Sequence, residues 1–586
     1  MTCRLAMFIV SSLLLLFALG SNAQDTRILL HNTTSGCDYD ENDFSFGHCE
    51  GPFVGMFDNN PAGANRLQGD GEYNAHVTNA HDVPVSPIGE MVSKVDIHSL
   101  LYSGNQTLIL AGYQPWFEVC HFNGPFQTNY PLPSSSSFPA GGYQTCNGTA
   151  EIGYDNGDQT YIQQLADLSS RGFNGIIIDW YGQANTHNDS VTRQLTNWSD
   201  TSTCTGIQQC SLYWALMEDQ GSWDSACPPN ATTDQTNCIS THLNADFDYM
   251  NQQYFVPDGT LSNQTGAPTH GYLKMAATGP ASNPWQISAS GRPLVFLFIP
   301  QAAWIYPPGS PNAGQPNANW TTIWNTVRSH LVTFGANEPY LIFENGNAFS
   351  HSLFPQADGG FAWISHWTND TTHCTFTTAS DPEGLCLLYH FYQSALTATE
   401  SWSSTTPMID VGAVWKGFDN TYAGWREFIP ANANVASVIP ARCGQTWLDT
   451  FARANAAFST TKQLPILQVA TWNDYDEGHE IETGIENCWS VSASMQPGSS
   501  VVTWSMVVAN VQTNAATNAT LNTIDHFEIW TIDSSNQTKF ASVPATASSF
   551  DLAGLNLASG TYRVIVYEVS KPSIRNQASA VVSYTK

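Results

Sequence analysis

Eight short apolar runs punctuate the chain between residues 107 and 489, and polar or aromatic residues close nearly every one. The runs are 108–113, 175–180, 212–217, 294–299, 340–343, 361–364, 411–415 and 466–471. They lack the apolar/polar alternation of a half-buried strand, so each reads as a strand covered on both faces. Long segments separate them, which leaves room for the covering helices and implies a parallel α/β arrangement. Eight such strands predict a closed (β/α)8 TIM barrel over residues 107–489. Helical spacing recurs at 158–170, where Gly172 supplies the stop, at 245–255 and at 387–399. A further run at 272–277 would shift the strand numbering if it joined the barrel.

Beyond residue 489 the pattern changes to short alternating segments at 501–508, 525–531 and 561–568, separated by Gly, Asn, Ser and Pro. Period-two alternation marks half-buried strands, so 490–586 reads as an all-β sandwich of the immunoglobulin or fibronectin-III kind. Residues 24–106 are polar with few periodic runs and are taken as a lead-in packed on the barrel. Within them, 37–49 alternates acids in the manner of a calcium loop but lacks the glycine and glutamate that such a loop needs.

In a barrel of this kind the reacting residues stand at the carboxyl ends of the strands. Those ends carry Tyr113 and Trp116, Asp179 and Trp180, Asp219, Glu344, His366, Trp415 and Lys416, and Trp472 and Asn473. Each has a structural reading when taken singly: Glu344 could pair with an arginine, Asp219 could cap a helix, and His366 could be a satisfied interior histidine. Gathered at one end of eight strands, they point to a site. The four tryptophans offer flat apolar faces of the kind that sugars stack on, although any of them could be core.

The last run carries the most information. Residues 465–489 read PILQVATWNDYDEGHEIETGIENCW, an apolar strand followed by Asp474, Asp476, Glu477, Glu480 and Glu482, in a chain only 12% charged. Isolated ionised carboxylates are costly to bury, so this cluster must meet water or a polar ligand. Along an extended chain Asp474 and Glu477 face opposite ways, but Gly478 permits a bend that turns Glu477 towards Asp474 across a gap wide enough for a sugar ring. Two carboxylates flanking one bond are the machinery of glycoside hydrolysis: one protonates the leaving oxygen, the other assists attack at the anomeric carbon. A solvated or calcium-binding acidic loop fits this stretch, taken alone, equally well.

Composition and charge narrow the setting. The formal net charge is -30, which excludes nucleic acid as a partner and favours a neutral or cationic ligand. Arg4, an apolar run over 5–19 and the small residues Ser21 and Ala23 form a secretory signal peptide over 1–23, and no later stretch is apolar for long enough to span a bilayer. Twelve cysteines then remain, an even number in an oxidising compartment. They fall into neighbouring pairs: Cys37 with Cys49, Cys120 with Cys146, Cys204 with Cys210, Cys227 with Cys238, Cys374 with Cys386, and Cys443 with Cys488. No paired-cysteine zinc motif is present. Asn-X-Ser/Thr sequons, among them Asn32, Asn105, Asn147, Asn197, Asn319 and Asn536, suit an exported chain.

Residues 472–479, Trp-Asn-Asp-Tyr-Asp-Glu-Gly-His, resemble the WNDYGES-type segment of glycoside hydrolase family 71, the endo-α-1,3-glucanases, and the WNEWxEGTxIE-type segment of family 99, the endo-α-mannosidases. The segments around Asp179, Glu218, Gly291 and Val411 look like fainter elements of the same group, over roughly 107–490. Asp474 and Tyr475 match the glucanases, Gly478, Ile481 and Glu482 the mannosidases, and Asp476 stands where the glucanases have glycine. The resemblance implies a (β/α)8 barrel, catalytic carboxylates at Asp474 and Glu477, a further acid at Asp179, an α-linked polysaccharide substrate and no cofactor. On it Glu477 is expected to be the general acid and Asp474 the base. The competing expectations are a non-catalytic glycan-binding protein on the same scaffold and a metal-dependent hydrolase using His366, His479 and nearby acids.

Overall fold

A computed structural model describes the chain from Val92 to Lys586, leaving out chiefly residues 123–164, 201–211, 256–270, 300–317, 365–383 and 420–437 and some shorter stretches. The expected signal segment, most of the expected lead-in with its calcium-like loop, seven of the cysteines expected to pair (Cys37, Cys49, Cys120, Cys146, Cys204, Cys210, Cys374), Trp116 and His366 lie outside the described residues. Among those described, no helix is long and apolar enough to cross a membrane.

Eight parallel strands form the centre of the molecule: β1 (Leu108–Tyr113), β2 (Gly175–Trp180), β3 (Tyr213–Asp219), β4 (Arg292–Phe298), β5 (Tyr340–Glu344), β6 (Gly359–Phe361), β7 (Ile409–Val414) and β8 (Ile466–Val469). Each pairs with its sequence neighbours, and β8 returns to β1 with Leu108 opposite Ile466, so the sheet is a closed barrel. The run at 272–277 does not enter it. Its strand Lys274–Ala276 pairs antiparallel with the start of β4, where it forms a short flap outside the closure. Glycine opens two of the strands for a steric reason: a Cβ on Gly175 would lie 2.3 Å from the Tyr213 carbonyl oxygen, and one on Gly359 2.2 Å from that of Ile409.

Alternate residues of the strands fill two separate cores. Leu110, Ile177, Met217, Phe296, Ile342, Phe361, Val411 and Ile466 pack inside the barrel. Their neighbours Ile109, Ile178, Leu216, Leu297, Leu341 and Leu467 face outward and meet the helices. The covering helices include α1 (Thr186–Asp200), α2 (Gln235–Gln253), α3 (Ala318–Leu331), α4 (Leu385–Ser401) and α5 (Gln445–Ala457). Helix α2 begins ten residues before the expected start at 245, because Ile239, Leu243, Phe247 and Met250 form its buried stripe while polar residues between them mask its first half.

After the barrel, β9 (Trp489–Met495), β10 (Val501–Val508) and β13 (Ser549–Asp551) make one antiparallel sheet. A second sheet contains β11 (Ile524–Ile532), β12 (Gln537–Pro544), β14 (Thr561–Ser570), β15 (Gln577–Ala578) and β16 (Val582–Thr585). Val502 and Trp504 from the first sheet pack on Phe527, Ile529, Val564 and Val566 from the second, which makes the pair a sandwich. Barrel and sandwich are joined by a buried polar seam: Asn487 Nδ2 donates to Ser570 Oγ at 2.9 Å and to Glu568 Oε2 at 3.2 Å, and Trp447 Nε1 donates to the Pro572 carbonyl at 3.0 Å.

Candidate active site

Pleat parity selects what faces the barrel mouth. On β1 the inward positions Leu110 and Gly112 are followed by Gln114, on β2 Ile177 is followed by Asp179 and then Tyr181, and on β3 Met217 is followed by Asp219. Likewise Phe296 leads to Phe298, Ile342 to Glu344, and Phe361 to Trp363. These residues and the loop after β8 face one another across the carboxyl end of the barrel.

The β8 loop is shaped by hydrogen bonds at both ends. The Ala470–Thr471 peptide is cis, and Trp472 N donates to the Gly112 carbonyl at 2.7 Å. Thr471 N donates to the His479 carbonyl at 3.2 Å and Ile481 N to the Trp472 carbonyl at 3.0 Å, so the chain folds back on itself within nine residues. Asn473 exchanges two hydrogen bonds with the backbone of Gln114, accepting from its N–H at 2.8 Å and donating to its carbonyl at 2.9 Å. Asn473 therefore extends the β1–β8 ladder by one rung and positions the acids that follow. It is fully buried.

Asp474 and Glu477 converge rather than oppose. His479 Nε2 lies 3.0 Å from Asp474 Oδ2 and 3.1 Å from Glu477 Oε2, and the three facing atoms all fall within 4.8 Å of one another. No sugar ring fits between carboxylates that close, which corrects the expectation of a wide gap between them. The loop is further tied by Asp474 N donating to Thr471 Oγ1 at 2.9 Å and Glu477 N to Asp474 Oδ1 at 3.2 Å. Burial pulls the His479 imidazole down, but the charges and hydrogen bonds of Asp474 and Glu477 outweigh it and hold the ring up at about 10. One atom from each of Asp474, Glu477 and His479 could converge on a cation, but the imidazole nitrogen that would serve as ligand already lies within hydrogen-bonding distance of both carboxylates.

Asp179 stands at the same mouth under different influences. Burial raises its carboxyl well above the usual range, and the negative charges of Asp219, Asp474 and Glu477 raise it further; a hydrogen bond from the Gln114 side chain pulls the other way. Gln114 Nε2 also donates to Asp474 Oδ2 at 3.3 Å, so one amide links Asp179 with the β8 loop. Glu344 is partly exposed by surface area, yet burial of its carboxyl and then the charge of Asp219 push it up to about 8. The Tyr181 phenol is raised by burial and by the same four acids, Asp219, Asp179, Asp474 and Glu477, which places its ring among them.

Five other expected contacts belong to the packed layers. Tyr113, Trp180, Trp415 and Trp472 are buried in the core between barrel and helices and have no face open to a ligand. Trp180 stacks on Tyr249 with centroids 6.0 Å apart, and Trp472 lies under the Arg171 guanidinium at 4.9 Å. Lys416 is fully buried in a 2.8 Å ion pair with Glu480. Among the described residues, the aromatic faces that reach the mouth are Tyr181, Phe298 and Trp363, all partly exposed; Phe298 meets Trp363 edge-on at 5.1 Å. The signal that marks them is parity: each lies an even number of residues beyond an inward strand position.

Disulfides join Cys227 to Cys238 and Cys443 to Cys488, and Cys386 is also disulfide-bonded. No family model matches this sequence, and no curated protein matches it. Among solved structures, an endo-β-1,4-mannanase from Thermotoga petrophila is similar at 10% identity and a TM-score of 0.24, covering 84% of this chain and 98% of that one.

Proposed function

We propose that this chain is an exported glycoside hydrolase that cleaves an α-linked polysaccharide, of α-1,3-glucan or α-mannan type, by carboxylate acid–base chemistry and without a cofactor. One observation carries the reading: at the carboxyl end of the barrel, a carboxyl that burial and like charge raise well above the usual range stands with a pair of acids that meet one buried imidazole nitrogen at 3.0 and 3.1 Å. Environments that split neighbouring acids in this way separate a proton donor from a proton acceptor. An imidazolium can only donate, so the oxygens of Asp474 and Glu477 that face His479 act as acceptors. That makes Asp179 the better proton donor and moves the acid role away from Glu477. In the reaction, the Asp179 proton passes to the glycosidic oxygen as the bond to the anomeric carbon breaks and its electron pair leaves with that oxygen. Water then adds to the anomeric carbon and yields its proton to Asp474. Glu477 steadies the positive charge that grows on the ring, and Tyr181, Phe298 and Trp363 supply the faces on which sugar units rest.

The choice of α-linked glycans rests on the resemblance of residues 472–482 to families 71 and 99. Purified protein assayed on α-1,3-glucan, α-mannan and pullulan tests the reading beside Asp179→Asn and the double variant Asp474→Asn/Glu477→Gln. Removing a positioned acid or base should slow hydrolysis by about 10²- to 10⁴-fold. On aryl glycosides with good leaving groups, whose oxygen needs little protonation, Asp179→Asn should recover much of its rate while the double variant does not. Equal reducing-sugar release by wild type and both variants ends the assignment.

A further inference from the structure

We propose that His479 is a positioning residue of this site: a buried imidazolium that holds Asp474 and Glu477 side by side, so that the two act as one doubly charged acceptor facing Asp179. The inference deepens the hydrolase reading and rests on it for the identity of the reaction.

The geometry starts with the ring's isolation. His479 has no exposed surface, and its Nε2 meets both carboxylates at 3.0 and 3.1 Å, while its Nδ1 has no partner among the described residues. The carboxylates are therefore the groups that fix it. Aromatic rings enclose its remaining described faces: Phe418 beyond β7 at 5.5 Å and Trp363 beyond β6 at 6.1 Å, the latter edge-on. Among the described residues, the charged groups facing the ring are Asp474 and Glu477 from its own loop. The adjacent residue, Glu480, is already neutralised by Lys416 at 2.8 Å.

Without a cation between them, two carboxylates with oxygens within 4.8 Å repel. One would be driven outward or take up a proton, and the acceptor would be lost. The planar ring directs its Nε2–H between the two acceptors, and its Nδ1–H is left without a partner among the described residues. The backbone hydrogen bond from Thr471 N to the His479 carbonyl then fixes the height of the ring against β8.

Two measurements on the full chain test this. The first needs no substrate: the protein has 16 histidines, and ¹⁵N-histidine NMR should show one that stays an imidazolium through pH 8 and titrates near pH 10. That titration should fall in steps in Asp474→Asn and in Glu477→Gln. The second is the pH profile of His479→Gln, which keeps an N–H donor but removes the charge. Its kcat should drop by about 100-fold with KM nearly unchanged, as for a misplaced catalytic group, and the acidic limb of kcat/KM should move to higher pH. A histidine at this position that is neutral at pH 7, or a His479→Gln enzyme with unaltered kcat and profile, overturns the proposal. If His479→Gln does not fold, the NMR titrations of the two carboxylate variants decide alone. If wild type hydrolyses none of the glycans while the NMR result stands, the hydrolase reading fails and the charged clamp does not.

Discussion

Arg171 has no exposed surface, yet its guanidinium donates to the carbonyls of Ile481 and Glu482 at 2.8 and 2.7 Å and lies 4.9 Å over the ring of Trp472. It thus grips the outgoing arm of the β8 loop from the helix side of the barrel. Arg171→Met keeps most of the packed stem but removes both charge-assisted hydrogen bonds and leaves two carbonyls with less to accept, a loss of roughly 3–5 kcal/mol. Urea unfolding measures it; a loss below about 1 kcal/mol would mean that the carbonyls find other donors. Arg171 drew no notice in the sequence because a lone arginine before a glycine looks like an ordinary helix end. Asp179, Asp219, Glu344, Asp474 and Glu477 all face the mouth, as strand-end acids should; Trp180 offers the more conspicuous ring in the sequence, but Tyr181, one step further along the pleat, has the inward parity.

The elements that carry the site were readable for a physical reason: a strand covered on both faces has no room for polar residues, so all eight runs stand out from their surroundings. Loop geometry is not readable, because the convergence of Asp474 and Glu477 on His479 depends on a hydrogen bond from Asp474 N to Thr471 Oγ1 and one from Gln114 Nε2 to Asp474 Oδ2 that no spacing rule encodes. The Cys443–Cys488 bond belongs at this scale. It joins residues 45 apart, and α5, β8 and the whole acidic loop lie within the closed segment. Both cysteines and Arg442 adopt positive φ, a conformation that side chains rarely take, so the crosslink holds backbone that would otherwise relax. Closing a loop of that length restricts the unfolded chain by about 4 kcal/mol. Replacing Cys443 and Cys488 by alanine together should lower the unfolding free energy obtained from urea titration by an amount of that order and increase backbone amide exchange within 445–488 before the rest of the barrel. Uniform exchange across the chain would instead place the effect in global stability alone.

For the whole molecule, the buried acids favour the folded state at low pH. Burial raises Glu568, between barrel and sandwich, to about 8 despite hydrogen bonds from Ser570 and Asn487, and it raises Glu344 to about 8, with Asp219 adding to the shift. Asp179, Glu218 and Glu486 are raised by burial as well, and His479 stands near 10 against an ordinary 6.5. In each case the folded chain keeps a proton that the unfolded chain has released, so unfolding becomes easier as pH rises. The stabilisation from Glu344 and Glu568 is complete below about 4.5 and lost as pH climbs through 8; that from His479 is complete below 6.5 and lost through 10. The opposite sign holds in the sandwich, where Lys571 and His526 outweigh burial and lower Asp525, and Lys539, Trp530 and His526 do so for Glu528. Their contribution is lost as pH falls through the low carboxylate range, which sets the acid limit. A formal charge of -30 adds self-repulsion on the alkaline side. Calorimetry should therefore find the highest Tm near pH 5 and a steady fall towards pH 9. A fully buried carboxyl shifted this far should account for a few kcal/mol of that fall, and the partly exposed Glu344 for less. Glu568→Gln removes one of these titrations at similar volume, so it should unfold at a higher temperature than wild type at pH 8.5 and close to it at pH 5. An unchanged slope of Tm against pH in that variant would mean that the acids of the seam are already ionised in the folded protein and that the alkaline loss comes from surface charge.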